Sequence, residues 1–232
     1  MINLGSNKLE LCNRMKYVFT LFTDIELTPE EIPFFRGAMI RLAGNENIDF
    51  HDHENAGFRY SYPRVQYKII DGKAVVVFVG DGAGSIGKIL SGAGSTIQIG
   101  RRSAVCNITD MALFQSVVQV NNVSNTYKLS RWLPLNQDNY ELFSSLESLR
   151  EKCALLERLL IGNILSFAKG VGIFFDSEVE VSIVDIEMMG QYKFKNVKML
   201  GFDVVFRTNV SLPQYVGLGK GVSLGFGIIT YK

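Results

Sequence analysis

Cysteine, proline, histidine and tryptophan are scarce in this 232-residue chain, with three, five, two and one copies respectively. Cys12, Cys106 and Cys153 stand far apart and form no CxxC pair, which argues against a zinc ribbon or a thioredoxin-like redox centre. They read as reduced, mostly buried thiols of a cytoplasmic protein. Long apolar runs are missing too, so no transmembrane helix and no membrane partner is expected. The opening residues, MINLGSNKLELCNRMKYVF, lack the apolar core of a secretory signal. Residues 1–14 precede Met15 and the first strand pattern, and read as an upstream extension or an alternative start. A surplus of one charge is also absent: 24 basic residues face 23 acidic ones. With 47% hydrophobic and 20% charged residues, the composition is that of a folded globular protein, not of a disordered or collagen-like chain.

What is present becomes informative once located. Residues 188–232 carry Lys193, Lys195, Lys198, Arg207, Lys220 and Lys232 against the single acid Asp203. Residues 58–68 carry Arg59, Arg64 and Lys68 with no acid, whereas 176–187 holds five acids and no base. Two basic regions inside a neutral chain fit either ordinary solvated faces or a polyanion site.

The periodicities order the elements. KYVFTLFTD (16–24) alternates as a strand. Thr28-Pro29-Glu30-Glu31 is a helix start, with Pro29 at the first turn and Glu31 placed for a capping box. Ile32, Phe35, Met39 and Leu42 then follow at helical spacing, and Gly44 is a stop. Residues 58–70 and 73–80 read as two strands turning at Asp71-Gly72. A glycine-rich stretch with a short helix spans 81–94, and 97–108 reads as one returning strand. The order then recurs. Residues 113–135 are strand-rich. Asp138 opens a single long helix whose stripe runs Leu142, Leu146, Leu149, Cys153, Leu156, Leu160, Ile164 and Phe167. Strands follow at 178–187, 198–210 and 224–231. A β-α-β-β order met twice predicts an α+β fold of two tandem ferredoxin-like domains with antiparallel sheets, 15–112 and 113–232.

Three constellations carry chemistry. The whole histidine complement, His51 and His53, lies in FHDH, where residues two apart share a face if the segment is extended. Paired imidazoles suit proton transfer at neutral pH; metal binding with Asp49, Asp52 or Glu54, and a plain loop pair, are the alternatives. Tyr60 and Tyr62 follow on one face of the next strand. GLGKGVSLGFG (217–227) packs five glycines and Lys220 between apolar residues, a pattern that lets a backbone approach phosphates or RNA closely; a long hairpin connection is the alternative. GAGSIGK (82–88) imitates nucleotide motifs, but Ile89 stands where a P-loop needs Ser or Thr, and a hairpin order is not a parallel βαβ series.

Taken together, these residues resemble the CRISPR-associated Cas-six-type endoribonucleases, in the subgroup with FHxH and YPxxQYK motifs. Here the motifs are Phe50-His51-Asp52-His53 and Tyr62-Pro63-Arg64-Val65-Gln66-Tyr67-Lys68. The C-terminal glycine signature is matched by Gly217-Leu218-Gly219-Lys220-Gly221 and Ser223-Leu224-Gly225-Phe226-Gly227. The resemblance runs along nearly the whole chain from Met15 and implies the fold already read. It also implies metal-independent cleavage of CRISPR repeat RNA into guide RNAs, with no cofactor and with RNA, not DNA, as substrate. The upstream 2′-hydroxyl attacks the phosphate, leaving 5′-hydroxyl and 2′,3′-cyclic phosphate ends. On that reading His51 and His53 move protons and Tyr60 positions or hydrogen-bonds the substrate. Arg59, Arg64 and Lys68 offset charge. Arg207, Asn209, Gly217, Gly219, Lys220, Gly221, Ser223, Gly225 and Gly227 hold the RNA. A noncatalytic RNA-binding subunit of a multi-subunit CRISPR effector complex is the competing reading, and a homodimer is an open alternative.

Overall fold

A computed structural model describes residues 15–44 and 62–232. The chain divides into two compact units, one of Tyr17–Gln115 with Val222–Gly225, the other built on Ser116–Gly221 and Phe226–Lys232.

In the first unit, strand β1 (Met15–Glu26) leads through a short 3-10 turn (Pro29–Glu31) into helix α1 (Ile32–Ala43). Glu31 Oε2 accepts from the Thr28 amide at 2.9 Å, the reciprocal half of the expected cap. The helix buries Ile32, Phe35, Ala38 and Met39 and ends at Gly44, which supplies the positive φ of 86°. Strands β2 (Val65–Ile70) and β3 (Lys73–Val79) form the expected hairpin. Asp71 and Gly72 both adopt positive φ, the signature of a two-residue primed turn. A 3-10 segment (Gly80–Ser85) and α2 (Ile86–Ser91) follow.

Residues 97–108 are not one strand. β4 (Thr96–Ile99) and β5 (Arg102–Val105) fold back on each other as a separate ribbon, because Gly100 takes a φ of 59° and turns the chain. β6 (Ile108–Val117) then closes the sheet in the order β2-β3-β1-β6. Beneath it lie Leu21, Phe35, Met39, Tyr67, Val76, Phe78 and Ile89.

The second unit repeats the plan. β7 (Val120–Trp132), β8 (Val181–Phe194), β9 (Val197–Val210) and β10 (Ile228–Tyr231) pair in the order β10-β7-β9-β8. The two four-stranded sheets therefore share one strand order, and the pairs β1–β3, β2–β3, β7–β9, β8–β9 and β7–β10 are antiparallel. This is the α+β fold of two tandem ferredoxin-like domains. An antiparallel β1–β3 pair also rules out a dinucleotide-binding reading of GAGSIG.

The single long helix expected from Asp138 is instead two, α3 (Gln137–Ser145) and α4 (Leu149–Gly170). Leu146 is extended, and Ser148 starts a new helix by accepting from the Glu151 amide at 3.2 Å. Glu151 accepts in return from the Ser148 amide at 3.2 Å. The leucine stripe misled because Leu142 and Leu149 are exposed; the buried face is Leu156, Leu160, Ile164 and Phe167. Ser148→Ala is expected to lose about 1 kcal/mol, read as a fall in the unfolding midpoint of about 2–4 °C.

No α-helix connects β9 to β10. The connection carries only a 3-10 turn (Val222–Leu224), and the glycine-rich segment occupies the place where a ferredoxin-like unit has its second crossover helix. No described helix is long and apolar enough to cross a membrane.

Candidate functional site

The glycine-rich segment is built more tightly than a flexible connection would be. Its neck is closed by Leu218 N–H donating to Gly227 O at 2.8 Å, Phe226 N–H to Gly221 O at 3.4 Å and Gly227 N–H to Arg131 O at 3.1 Å. Gly219, Gly221, Gly225 and Gly227 all have positive φ. Each also lacks room for a side chain: a Cβ on Gly227 would lie 1.9 Å from Leu218 O, and one on Gly225 2.4 Å from Ile32 Cδ1. The glycines are thus required by the fold of the loop itself, and the loop presents Gly219 and Lys220 to solvent with Gly221 and Ser223 half-buried.

Behind the neck stands a cationic-aromatic cluster that motif reading did not pick out. Arg131 takes a left-handed backbone, φ 54°, and its amide donates to Asp203 Oδ1 at 2.7 Å. Its guanidinium carbon sits 4.9 Å from the Phe226 ring centre and 5.3 Å from that of Tyr192, within cation–π range. Phe194 packs edge-on against Phe226 at 5.7 Å. The available signal was the spacing of Tyr192 and Phe194, two apart and so on one face of a strand; nothing local marked Arg131. Trp132 lies fully buried nearby, its indole N–H donating to Asn163 Oδ1 at 2.8 Å.

His51, His53, Arg59 and Tyr60 lie outside the described residues. Arg64 is partly exposed and pairs with Asp81 at 2.5 Å, a surface ion pair of small energetic weight. Arg207 is exposed on β9, between Thr126 and Ser182 of the neighbouring strands. Asn209 uses both ends of its amide on the chain before β8, donating to Glu178 O at 3.0 Å and accepting from Glu180 N at 2.9 Å. Lys68 is fully buried on β2, and its ammonium donates to Val222 O at 2.9 Å. Lys68 therefore meets the tip of the loop, Val222–Gly225, which belongs to the same unit.

Burial pushes the Lys68 ammonium down from 10.5 to about 7. Between those values the unfolded chain holds a proton that the native chain has released. Stability should therefore rise as pH climbs from about 7 toward 10.5, and be flat in this respect below about 7. Melting the native protein and Lys68→Met in parallel checks this: the contribution should be on the order of a few kcal/mol and absent from the variant.

The architecture is that of two ferredoxin-like units, the second carrying a glycine-rich loop before its last strand. The family comparison agrees: a model described as the Cas6b N-terminal domain matches residues 14–116, and one described as the Cas6b C-terminal domain matches 119–231. The chain is a Cas6-type protein and belongs to the family those two domains define. A solved Cas6b structure is similar at 26% identity with a TM-score of 0.81, over 94% of this chain and 100% of that one. Another, described as a CRISPR RNA processing endoribonuclease, Cas6b, is similar at 26% identity and a TM-score of 0.71, over 94% and 99%. An uncharacterized protein of Methanocaldococcus jannaschii is 35% identical over 101 residues, which are 44% of this chain and 67% of that protein.

Proposed function

We propose that this protein is a metal-independent endoribonuclease that cleaves CRISPR repeat RNA in a precursor transcript to release guide RNAs. The observation that carries the reading is the likeness, over nearly the full length of both chains, to a Cas6b described as a CRISPR RNA processing endoribonuclease. The chemistry of the chain is consistent with it. Attack by a ribose 2′-oxygen needs a base at the nucleophile, an acid at the 5′-oxygen and donors at the nonbridging oxygens. His51 and His53 take the two proton-transfer roles, each typically worth about 10²–10⁴-fold. Tyr60 orients the phosphate, and Arg59 and Arg64 offset its charge. The RNA lies along the exposed part of the glycine-rich loop, where Gly219 and Lys220 give sequence-tolerant contacts, with Arg207 adding charge. Protein of near-neutral total charge must hold RNA through these local patches, so affinity falls steeply with salt.

The test is labelled repeat RNA incubated with the protein in EDTA and resolved on a denaturing gel. Cleavage at one site is expected. No cleavage with a shifted band on a native gel would instead assign the protein as an RNA-binding subunit of an effector complex, and cleavage only after a divalent ion is restored would assign a metal-dependent nuclease.

A further inference from the structure

Lys68 is the only lysine, arginine, aspartate or glutamate among the buried residues of the described chain. An ammonium in a dry interior is unfavourable unless its hydrogen bonds are made there. A methionine would fill the same space without that penalty. One acceptor it meets is a backbone carbonyl 154 positions away, at Val222, in the tip of the glycine-rich loop. That tip, Val222–Gly225, packs with the first unit, where Val222 is buried and the bare Cα of Gly225 rests against Ile32. Val222 is also the first residue of the loop's single turn of 3-10 helix, so fixing its carbonyl fixes the direction in which the turn sets out.

We infer that Lys68 is a positioning residue for the tip of the glycine-rich loop: its ammonium holds the Val222 carbonyl and so keeps Val222–Gly225 in the form that receives a ligand. Lys68 then acts on RNA through the loop, without touching it. The consequence for the loop stands alone; the consequence for RNA rests on the proposed function.

Hydrogen exchange of the full chain, native and Lys68→Met, tests it. In the native protein the amides of Val222–Gly225 should be protected to the same degree as those of β2. In Lys68→Met they should exchange faster by about tenfold or more while β2 and β3 are unchanged, the pattern of a local opening. The unfolding midpoint should not fall, since an apolar side chain replaces a buried charge. KM for repeat RNA should rise about tenfold, the equivalent of one lost hydrogen bond, with kcat little changed. A folded variant whose loop exchange matches the native protein overturns the inference, as does a lowered midpoint with faster exchange spread over the whole first unit, which is core packing alone. If the variant does not fold, the native protein decides: loop amides exchanging at free-peptide rates overturn the inference, and protection equal to that of β2 supports it. Altered loop exchange in a protein that never cleaves or binds repeat RNA supports the anchor and overturns the proposed function instead.

Discussion

Replacing either His51 or His53 with alanine is expected to slow single-turnover cleavage of repeat RNA by about 10²–10⁴-fold. Binding should stay within about threefold, because neither imidazole is asked to carry much ground-state affinity. The double variant should be little worse than the poorer single one, since two groups acting on one proton path are not additive. Equal loss of binding, cleavage and folding in both alanine variants would make the histidines structural and remove the assignment.

Gly227→Ala carries the largest expected effect on stability. The position has a φ of 64°, and a Cβ there would fall 1.9 Å from Leu218 O, which is backbone and cannot swing aside. Relief requires opening the neck of the loop, where Leu218 N–H is bonded to Gly227 O. A loss of about 3 kcal/mol or more is expected, with the midpoint falling on the order of 10 °C. RNA affinity should fall with it. Gly84→Ala is the matched control: its Cβ would meet nothing within 4 Å and its φ is not positive, so it should change stability by under about 0.5 kcal/mol. A Gly227→Ala protein that melts like the native one would mean that the loop is not held as described.

Most of the fold was legible because its signals are local. Asp71-Gly72 announces a hairpin, Thr28-Pro29 a helix start, and alternation the strands, all within a few residues. The misreadings arose where a local pattern fitted two outcomes. Leu142, Leu146 and Leu149 keep helical spacing across a break, because a hydrophobic stripe does not reveal that Ser148 recaps the chain. The stretch 97–108 alternates like one strand, and only the positive φ at Gly100 turns it into two. Among site residues, the glycines of 217–227 were legible as a close-approach loop, but what they approach, Leu218 O and Ile32 within the protein, depends on tertiary contacts. Lys68 read as a residue that offsets charge on the RNA, and its burial was not legible for the same reason: it meets a carbonyl that arrives 154 positions later. The bonds of the Asn209 amide to Glu178 and Glu180 were not legible in the sequence either, because they too are tertiary contacts.

The central claim is that a ribose hydroxyl of the RNA, with this chain's side chains moving the protons, breaks the bond. The most direct test is a repeat RNA carrying a single 2′-deoxy nucleotide immediately upstream of the mapped cut. The account predicts that this substrate binds as tightly as the all-ribose RNA and is not cut at that phosphate, while the ribose control yields a 2′,3′-cyclic phosphate end. Cleavage of the deoxy substrate at the same phosphate would contradict it, because the nucleophile would then have to come from somewhere other than the RNA.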